Sequence, residues 1–387
     1  MKLDIFDINL KRNRVVLALG PESSGNFSIY ARGKIYFYQT GLDLFDENNF
    51  VLFKKSVLGF LRKKKMKPDI ILADLHPRYR TTVWGGILAQ KFRAKNIQVQ
   101  HHVAHVFSSV GDRIIHDALY KIPNTFYGVV CDGTGYGIDG KIWGGEILKI
   151  SNSPNCLISN KRASTECKIE RIGHLENQIL IGGDLVVREP ARMLISIFDR
   201  FMDKERVYKF VKKYYSRNQF ELLHNQLKTG FNCLETSSTA RILDAVSVLL
   251  GFSKNIRGQK HGPTLALEKN STAPYKIKPK IIYDSAEKNR ILLTIPLYEF
   301  LLKNSGKDKR MLAATAQYYI ARGLHEILGK YQMPNTFFSG GMADNKIMSA
   351  HFSSQGFYLS KKIPRGDAGM SFGQIIYYLM GFSKSSE

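Results

Sequence analysis

Apolar and polar positions near the start of the chain follow the pattern of a strand and a hairpin. The run "RVVLALG" at 14–20 is almost wholly apolar, and "NFSIYARGKIYFYQ" at 26–39 is rich in aromatic and β-branched residues. Arg32 and Gly33 interrupt the second stretch at its centre, where a tight turn fits. The pattern predicts one strand followed by a two-stranded hairpin.

Helical and strand-like periods then alternate. Residues 48–65 and 81–94 repeat apolar positions at helical spacing, whereas "DIILAD" at 69–74 and "IQVQ" at 97–100 are short apolar runs typical of buried strands. This order predicts an α/β fold. The strand, turn and strand at 126–133 and 141–150 echo the start of the chain, which predicts two similarly built lobes.

The rest of the chain is predicted to be mainly helical. Apolar periodicity indicates helices across 185–255, including "SSTARILDAVSVLLG" at 237–251 with a serine cap and a terminal glycine. A further helix is predicted at 311–329, then a short strand "NTFFSGG" and a last helix after "RGDAG". The segments 151–175 and 270–290 are less regular and are predicted to be loops.

Composition places the chain among folded proteins of the cytoplasm. It has 387 residues, of which 44% are apolar, and no run reaches the ~20 apolar residues of a membrane helix. The four cysteines lack the short paired spacing of a zinc ribbon, which fits a reducing compartment. The net charge of +24 leaves tRNA open as a partner, although the densest run, "RKKKMK" at 62–67, also suits a helix C-terminus.

Three histidines stand close together in "QHHVAH" at 100–105. If a helix begins after Gln100, His101 and His105 lie one turn apart on one face, while His102 points elsewhere. A pair of imidazoles at this spacing can present two nitrogens to zinc or iron. From spacing alone, helix capping or a polar crevice explains the pair equally well.

Acidic residues and glycines follow several strands. Asp132 ends an apolar run and precedes Gly133, Thr134, Gly135 and Gly137, whose backbone amides can hold phosphate oxygens. Asp367 lies at the predicted first turn of the last helix, where it either caps that helix or completes a metal site. Further strand-to-helix turns that can receive a nucleotide contain Gly182 and Gly183, and Ser339, Gly340, Gly341 and Asn345.

Taken in order, these motifs resemble the C-terminal carbamoyltransferase domain of the hydrogenase-maturation protein HypF, within the carbamoyltransferase and threonylcarbamoyltransferase superfamily. The stretches that carry the resemblance are "DLHPRY" (74–79), "VQHHVAH" (99–105), "DGTGYGIDGKIWGGE" (132–146), "GGDLVVREPAR" (182–192), "SSTARILDAV" (237–246), "SGGMADN" (339–345) and "PRGDAGMSFGQ" (364–374).

The resemblance implies an actin-like ATPase fold of two ribonuclease-H-like lobes. The lobes are expected at 1–122 and 123–387, with a mostly helical insertion at about 155–300 in the second. It also implies that His101, His105, Asp132 and Asp367 are catalytic residues that bind zinc or iron. The glycine turns with Thr134, Ser339 and Asn345 would bind ATP or carbamoyl-adenylate, with AMP as product.

The implied reaction transfers the carbamoyl group to the C-terminal cysteine of a HypE-like acceptor protein, for hydrogenase cyanide-ligand synthesis. The first predicted strand begins at residue 14, so the acylphosphatase-like, zinc-finger and adenylate-forming domains of the full-length family are expected to be missing. A separate adenylate-forming protein would then supply the donor.

Other features leave the acceptor open. "LGPESSGNF" at 19–27 is closer to the threonylcarbamoyl-tRNA branch, "IRGQKHGPTLALE" at 256–268 lacks the Tyr-Glu expected before Gly-Gln, and Thr40 replaces a histidine. The alternatives are a tRNA threonylcarbamoyladenosine transferase, an O-carbamoyltransferase acting on a small metabolite, and a non-catalytic nucleotide-binding scaffold.

Overall fold

A computed structural model describes residues 2–10, 12–117, 119–151, 168–329 and 335–382 of the chain. Cys156, Cys167 and the start of the predicted insertion lie outside these ranges. The strands are β1 (Lys2–Asp7), β2 (Val16–Ala18), β3 (Asn26–Ala31), β4 (Lys34–Gln39), β5 (Ile70–Asp74), β6 (Lys95–Val99), β7 (Thr125–Tyr136), β8 (Ile142–Ser151), β9 (Lys168–Leu175), β10 (Gln178–Ile181), β11 (Cys233–Thr236), β12 (Ile281–Asp284), β13 (Asn289–Leu292) and β14 (Thr336–Ser339).

Helices connect and cover these strands. They are α1 (Glu47–Lys63), α2 (Arg80–Phe92), α3 (His101–His116), α4 (Leu185–Arg188), α5 (Ala191–Phe198), α6 (Lys204–Val211), α7 (Arg217–Thr229), α8 (Thr239–Leu250), α9 (Gly262–Lys269), α10 (Ile295–Lys303), α11 (Lys309–Leu328), α12 (Lys346–Ser354) and α13 (Met370–Leu379). Short 3₁₀ helices span Gly341–Asp344 and Asp367–Gly369.

The first sheet has the strand order β1-β4-β3-β2-β5-β6. Its hairpin β3-β4 turns at Arg32 and Gly33, both at positive φ, as the sequence predicts. Strands β2, β5 and β6 run parallel, so their carboxyl ends meet at one edge of the sheet. Apart from the extra edge strand β1, the sheet consists of three antiparallel strands, β4, β3 and β2, followed by β5 and β6, which run parallel to β2.

The second sheet repeats that order. Strands β9, β8 and β7 are antiparallel neighbours, β14 pairs in parallel with β7, and Tyr358 extends the parallel side through a bridge to Phe337. Strands β10, β11, β12 and β13 enlarge the sheet. The repeated order shows two duplicated ribonuclease-H-like halves, and the predicted actin-like fold is confirmed.

Helix α3 lies between the two sheets. Its apolar residues Val106 and Phe107 join a core that contains Phe37 of the first sheet and Phe126 of the second. Helix α13, although last in the chain, packs against α3 and on β3 of the first sheet. The predicted lobe boundary at residue 122 therefore stays a prediction, since the chain end returns to the first sheet.

Three segments differ from the sequence-based expectation. Residues 168–175 form β9 and residues 281–292 form the hairpin β12-β13, where loops are predicted. Both are stabilised by pairing with distant strands, β9 with β8 and β13 with β9, which local periodicity does not reveal. Strand β1 pairs with β4 in the same way. The predicted insertion thus contains sheet strands besides its helices.

Within the described residues, no helix combines the length and the apolar character that crossing a membrane requires.

Candidate metal and nucleotide cleft

Helix α3 positions the three histidines. Gln100 caps the helix by accepting a hydrogen bond from the Val103 amide, so the helix begins directly at His101. His101 and His105 then lie one turn apart, with ring centroids 4.9 Å apart and side chains at most 1% exposed. The predicted helix start is confirmed, and its cap is Gln100 itself.

Asp132 lies at an irregularity in β7, where the pairing with β8 shifts register between Cys131 and Gly135. The shift turns the Asp132 carboxylate toward α3. Its Oδ1 accepts hydrogen bonds from the Gly133 amide at 2.7 Å and the Gly341 amide at 3.3 Å. These two amides fix one oxygen, which leaves Oδ2 for the histidines.

Asp367 approaches the same point from the far end of the sequence. It forms no side-chain cap at the start of the 3₁₀ helix Asp367–Gly369. Its Oδ1 instead lies 3.5 Å from His101 Nε2 and 3.3 Å from His105 Nε2, while Ser23 donates a short hydrogen bond to Oδ2. Of the two roles that the sequence leaves open, the geometry favours the one beside the histidines.

The four side chains form what we call the His/Asp cluster: His101, His105, Asp132 and Asp367. Asp132 Oδ2 is 3.1 Å from His101 Nε2 and 3.3 Å from His105 Nε2, and the four donor atoms all lie within 4.8 Å of one another. His105 Nε2 and Asp367 Oδ1 have no hydrogen-bond partner within the described residues.

Asp74 supports the cluster from behind. It ends β5, next to the strand that leads into α3, and its Oδ2 lies 2.8 Å from His101 Nδ1. Its Oδ1 accepts from the His76 amide at 2.8 Å. A carboxylate on the far nitrogen orients an imidazole and raises its basicity as a metal ligand.

The electrostatics of the cluster follow from this mixture of acids and imidazoles. Burial opposes charge on His101, but Asp74 and the adjacent carboxylates of Asp132 and Asp367 hold the pKa of His101 well above its usual value. Burial likewise opposes charge on Asp132 and Asp367, yet the two histidines hold the pKa of both carboxyls low. Both aspartates are therefore anionic at neutral pH.

The donor set fits a zinc or iron ion. Two imidazole nitrogens and two carboxylate oxygens are ligands that both metals accept. The unpartnered atoms, His105 Nε2 and Asp367 Oδ1, would then coordinate the bound ion. When bound, such an ion acts as a Lewis acid toward an acyl or phosphoryl oxygen.

Several of the glycines predicted to bind nucleotide surround the cluster. A Cβ at Gly135 would lie 2.3 Å from His102 Cε1, and one at Gly341 would lie 2.9 Å from Asp132 Oδ1. Gly340 has φ +95° and its Cβ would meet the Cys131 carbonyl oxygen at 2.4 Å. Only glycine fits at these close approaches.

Other predicted residues have different surroundings. Asn345 caps α12 and donates from Nδ2 to Gln317 and Glu268, so its side chain is engaged within the second half. The Ser339 hydroxyl is buried without a partner in the described chain.

The remaining members of the predicted turns are Thr134, Gly137, Gly182 and Gly183. Gly137 packs on Trp143, and Thr134 is exposed. Gly182 and Gly183, both at positive φ, turn the chain after β10.

His102 faces away from the four ligands. Its Nδ1 lies 3.0 Å from Gln100 Nε2, and its Nε2 has no partner among the described residues. Burial and the neighbouring His101 lower the pKa of His102 to about 3, so its ring is neutral. The hypothesis that His102 is a nearby polar contact stays a prediction.

Sequence reasoning overlooked Asp74 and Ser23 as parts of the site. Asp74 ends a buried strand beside the strand that precedes His101, and parallel strands end at the same edge. That adjacency was the available signal for Asp74. Ser23 lies in the turn "PESSGN", but it contacts Asp367, which is 344 residues away in the sequence, so no local pattern indicated the contact.

The duplicated fold and the buried cluster define a two-lobed protein of the actin-like ATPase class with a candidate metal site between its halves. Residues 128–374 match the model of the carbamoyltransferase Kae1-like domain, second subdomain, and residues 11–112 match that of the HypF Kae1-like domain. The chain belongs to the HypF carbamoyltransferase family.

Two curated relatives illustrate the similarity. The probable carbamoyltransferase HypF of Methanocaldococcus jannaschii is 35% identical over 96% of this chain and 47% of its own length. The carbamoyltransferase HypF homolog of Cupriavidus necator is 27% identical over 86% of this chain and 83% of its own length.

Solved structures agree on the fold. T. kodakarensis HypF has a TM-score of 0.82 at 25% identity and matches 97% of this chain and 49% of its own. Full-length HypF in the phosphate- and nucleotide-bound form has a TM-score of 0.81 at 22% identity, over 98% and 48%. The chain thus spans about half the length of these structures and of the first relative.

Proposed function

We propose that this chain transfers a carbamoyl group from carbamoyl-adenylate to the C-terminal cysteine thiol of a HypE-like acceptor protein. The observation that carries the proposal is the His/Asp cluster with its unpartnered donor atoms, in a chain of the HypF carbamoyltransferase family. Full-length HypF has been solved in a phosphate- and nucleotide-bound form, which supports an adenylate donor. The proposed place of action is the cytoplasm.

In the proposed reaction the thiolate sulfur bonds to the carbamoyl carbon, and the bond from that carbon to the phosphate oxygen breaks. AMP leaves, and the thiol proton goes to solvent. The Gly133 and Gly341 amides fix Asp132, Asp74 orients His101, and Ser23 orients Asp367. A cluster held in this way costs little reorganisation as charge develops on the acyl oxygen.

The chain supplies no nucleophile in this scheme. Cys131 is next to Asp132 but is fully buried, and burial raises the pKa of its thiol to about 12. A thiol that stays protonated is a poor nucleophile. The acceptor therefore brings the attacking sulfur.

The test is a transfer assay with purified protein, labelled carbamoyl phosphate, ATP and a separate adenylate-forming enzyme. The acceptor is a HypE-like protein, and its Cys→Ser variant at the C-terminus is the matched control. We expect label on the cysteine only, lost when Asp367 is replaced by Asn. Transfer that persists in Asp367→Asn would contradict the role of the cluster.

A second candidate is transfer of a threonylcarbamoyl group to tRNA. It is favoured by basic residues at the end of the first sheet opposite the cleft: the run 62–67 ends α1, and Lys95 pairs with Ile70 of the neighbouring strand. Its test uses unmodified tRNA as the acceptor, with labelled threonine, bicarbonate and ATP in place of labelled carbamoyl phosphate, and a separate enzyme that forms threonylcarbamoyl-adenylate. Label on tRNA alone would support this second candidate.

A further inference from the structure

A second buried charged group lies beside the His/Asp cluster and takes no part in it. It consists of Arg241 and Asp244 on α8, which are 3% and 1% exposed. Arg241 Nη1 is 3.0 Å from Asp244 Oδ2, at an angle that forms no hydrogen bond. Within the described residues, Arg241 Nε and Nη1 and both Asp244 oxygens lack a hydrogen-bond partner.

The Arg241 side chain reaches the glycine turn next to Asp132. A Cβ at Gly133 would lie 3.4 Å from Arg241 Nη2. The N-cap of the same helix, Ser238, donates to the Gly133 carbonyl at 2.6 Å and can also reach that of Asp132 at 3.2 Å. The start of α8 and the guanidinium are therefore fixed against the turn that carries a cluster ligand.

The loop before α9 adds further positive charge to the same place. Burial and then Arg241 lower the pKa of Arg257, and burial and then Arg257 lower the pKa of His261, on which Asp132 also acts. Lys260 of this loop donates from Nζ to the Ser23 carbonyl at 2.6 Å, so the loop reaches the first half of the protein.

Two arginines thus act on one buried carboxylate. Arg241 and Arg257 both favour the charged form of Asp244, whose pKa burial nevertheless raises. Buried N–H groups without a hydrogen-bond acceptor are costly, and the ion pair with Asp244 leaves Arg241 Nε and Nη1 without one among the described residues. The planar guanidinium favours an oxyanion that accepts two hydrogen bonds, such as a phosphate.

We propose that Arg241, held by Asp244 and assisted by Arg257, binds the phosphate of the acyl-adenylate donor and of the AMP that leaves. The proposal rests on the proposed function for its choice of ligand. It adds a phosphate subsite, made of side chains, to the glycine turns.

The experiment compares the binding of AMP and of adenosine by equilibrium dialysis, since the two ligands differ only in the phosphate. In the unmodified protein we expect AMP to bind about 10- to 100-fold more tightly than adenosine, as for a charge-assisted pair. Arg241→Met should reduce the affinity for AMP to that for adenosine, and it should leave the affinity for adenosine within about two-fold of that of the unmodified protein. Arg206→Met, at an exposed arginine of α6, is the matched control and should change neither.

Equal affinities of the unmodified protein for AMP and adenosine would overturn the proposal. So would an Arg241→Met protein in which both ligands weaken alike, or in which AMP is unaffected. If Arg241→Met does not fold, Arg241→Lys and Arg257→Met are measured, and unchanged AMP preference in both would overturn it.

A last measurement distinguishes the two oxyanions that Arg241 could bind, a phosphate and a peptide carboxylate. If the guanidinium binds the carboxylate of an acceptor peptide, Arg241→Lys will alter binding of a peptide acid relative to its amide and leave AMP unchanged, which also contradicts the proposal. Because this experiment measures binding and not transfer, its result can be interpreted even if the carbamoyl-transfer assay fails.

Discussion

Two buried polar groups lie on neighbouring strands of the second sheet and differ in how their hydrogen bonds are satisfied. Glu146 on β8 accepts from the Gly144 and Gly145 amides, from the Ser237 hydroxyl and from Arg171 Nε at 2.6 Å. We call this the Glu146 network. Both oxygens of the Glu146 carboxylate therefore have partners, although Arg171 Nη2 has none among the described residues. In the His/Asp cluster on β7 and α3, by contrast, carboxylate and imidazole atoms themselves remain without partners in that part of the chain.

The comparison distinguishes buried polar groups that stabilise the fold from buried polar groups that are candidates for function. A buried carboxylate that the protein satisfies by itself fixes the local backbone, as Glu146 does for the glycines of β8. Carboxylates and imidazoles that gather with unused lone pairs are candidates for binding a metal ion or a ligand. The same reasoning assigns Arg241 and Asp244 to the second class.

The sharpest test of this difference is metal content. His101→Ala removes a predicted ligand, and we expect loss of bound zinc or iron and a fall in transfer on the order of a thousand-fold, since a metal contributes several kcal/mol. Elemental analysis and the transfer assay measure the two effects. His116→Ala, at the exposed far end of the same helix, is the control; metal loss there too would contradict the assignment.

The Glu146 network should respond in stability instead. Glu146→Gln removes the nearer of the two carboxylates that pair with Arg171, whose side chain is 9% exposed, and leaves it only Asp139 at 3.6 Å. We expect a cost of about 3 kcal/mol in the free energy of unfolding. Urea unfolding measures it, with metal content per folded molecule unchanged. The control Glu170→Gln breaks two partly exposed pairs, with Lys168 and with Lys149, and should cost at most about 1 kcal/mol.

The pH dependence of stability sharpens the same contrast. Burial opposes charge on Glu146, but Arg171 and the nearby histidines lower its pKa from 4.5 to about 2. A folded-state pKa below the unfolded value gives stability that is present above pH 4.5 and lost as the pH falls toward 2, about 3 kcal/mol in all. The stability difference between the unmodified protein and Glu146→Gln should narrow over that range; a constant difference would contradict the assignment.

The smallest expected effect concerns Asp74, which belongs neither to the His/Asp cluster nor to the Glu146 network. Asp74→Asn keeps the shape of the contact with His101 Nδ1 but removes its charge, so metal affinity should fall about 10- to 100-fold. Competition with a chelator measures it. Asp7→Asn, at an exposed pair with Lys34, should leave the affinity unchanged. An equal loss in both variants would argue against a supporting role for Asp74.

The sequence by itself determined the local elements and one half of the cluster. The i, i+4 spacing of His101 and His105 puts both rings on one face of α3, because helix geometry depends only on neighbouring residues. The repeated strand pattern predicted the duplicated halves for the same reason. The motifs around Asp132 and Asp367 predicted further ligands, which rested on the family resemblance.

Only the tertiary structure decided which distant groups meet and which stay unsatisfied. Asp367 reaches the histidines because α13 returns to the first sheet, and Asn345, expected at the nucleotide, is held as a helix cap by residues from α9 and α11. Strand β9 forms because β8 and β13 offer it edges. Pairing across the chain depends on packing, which neither periodicity nor spacing encodes.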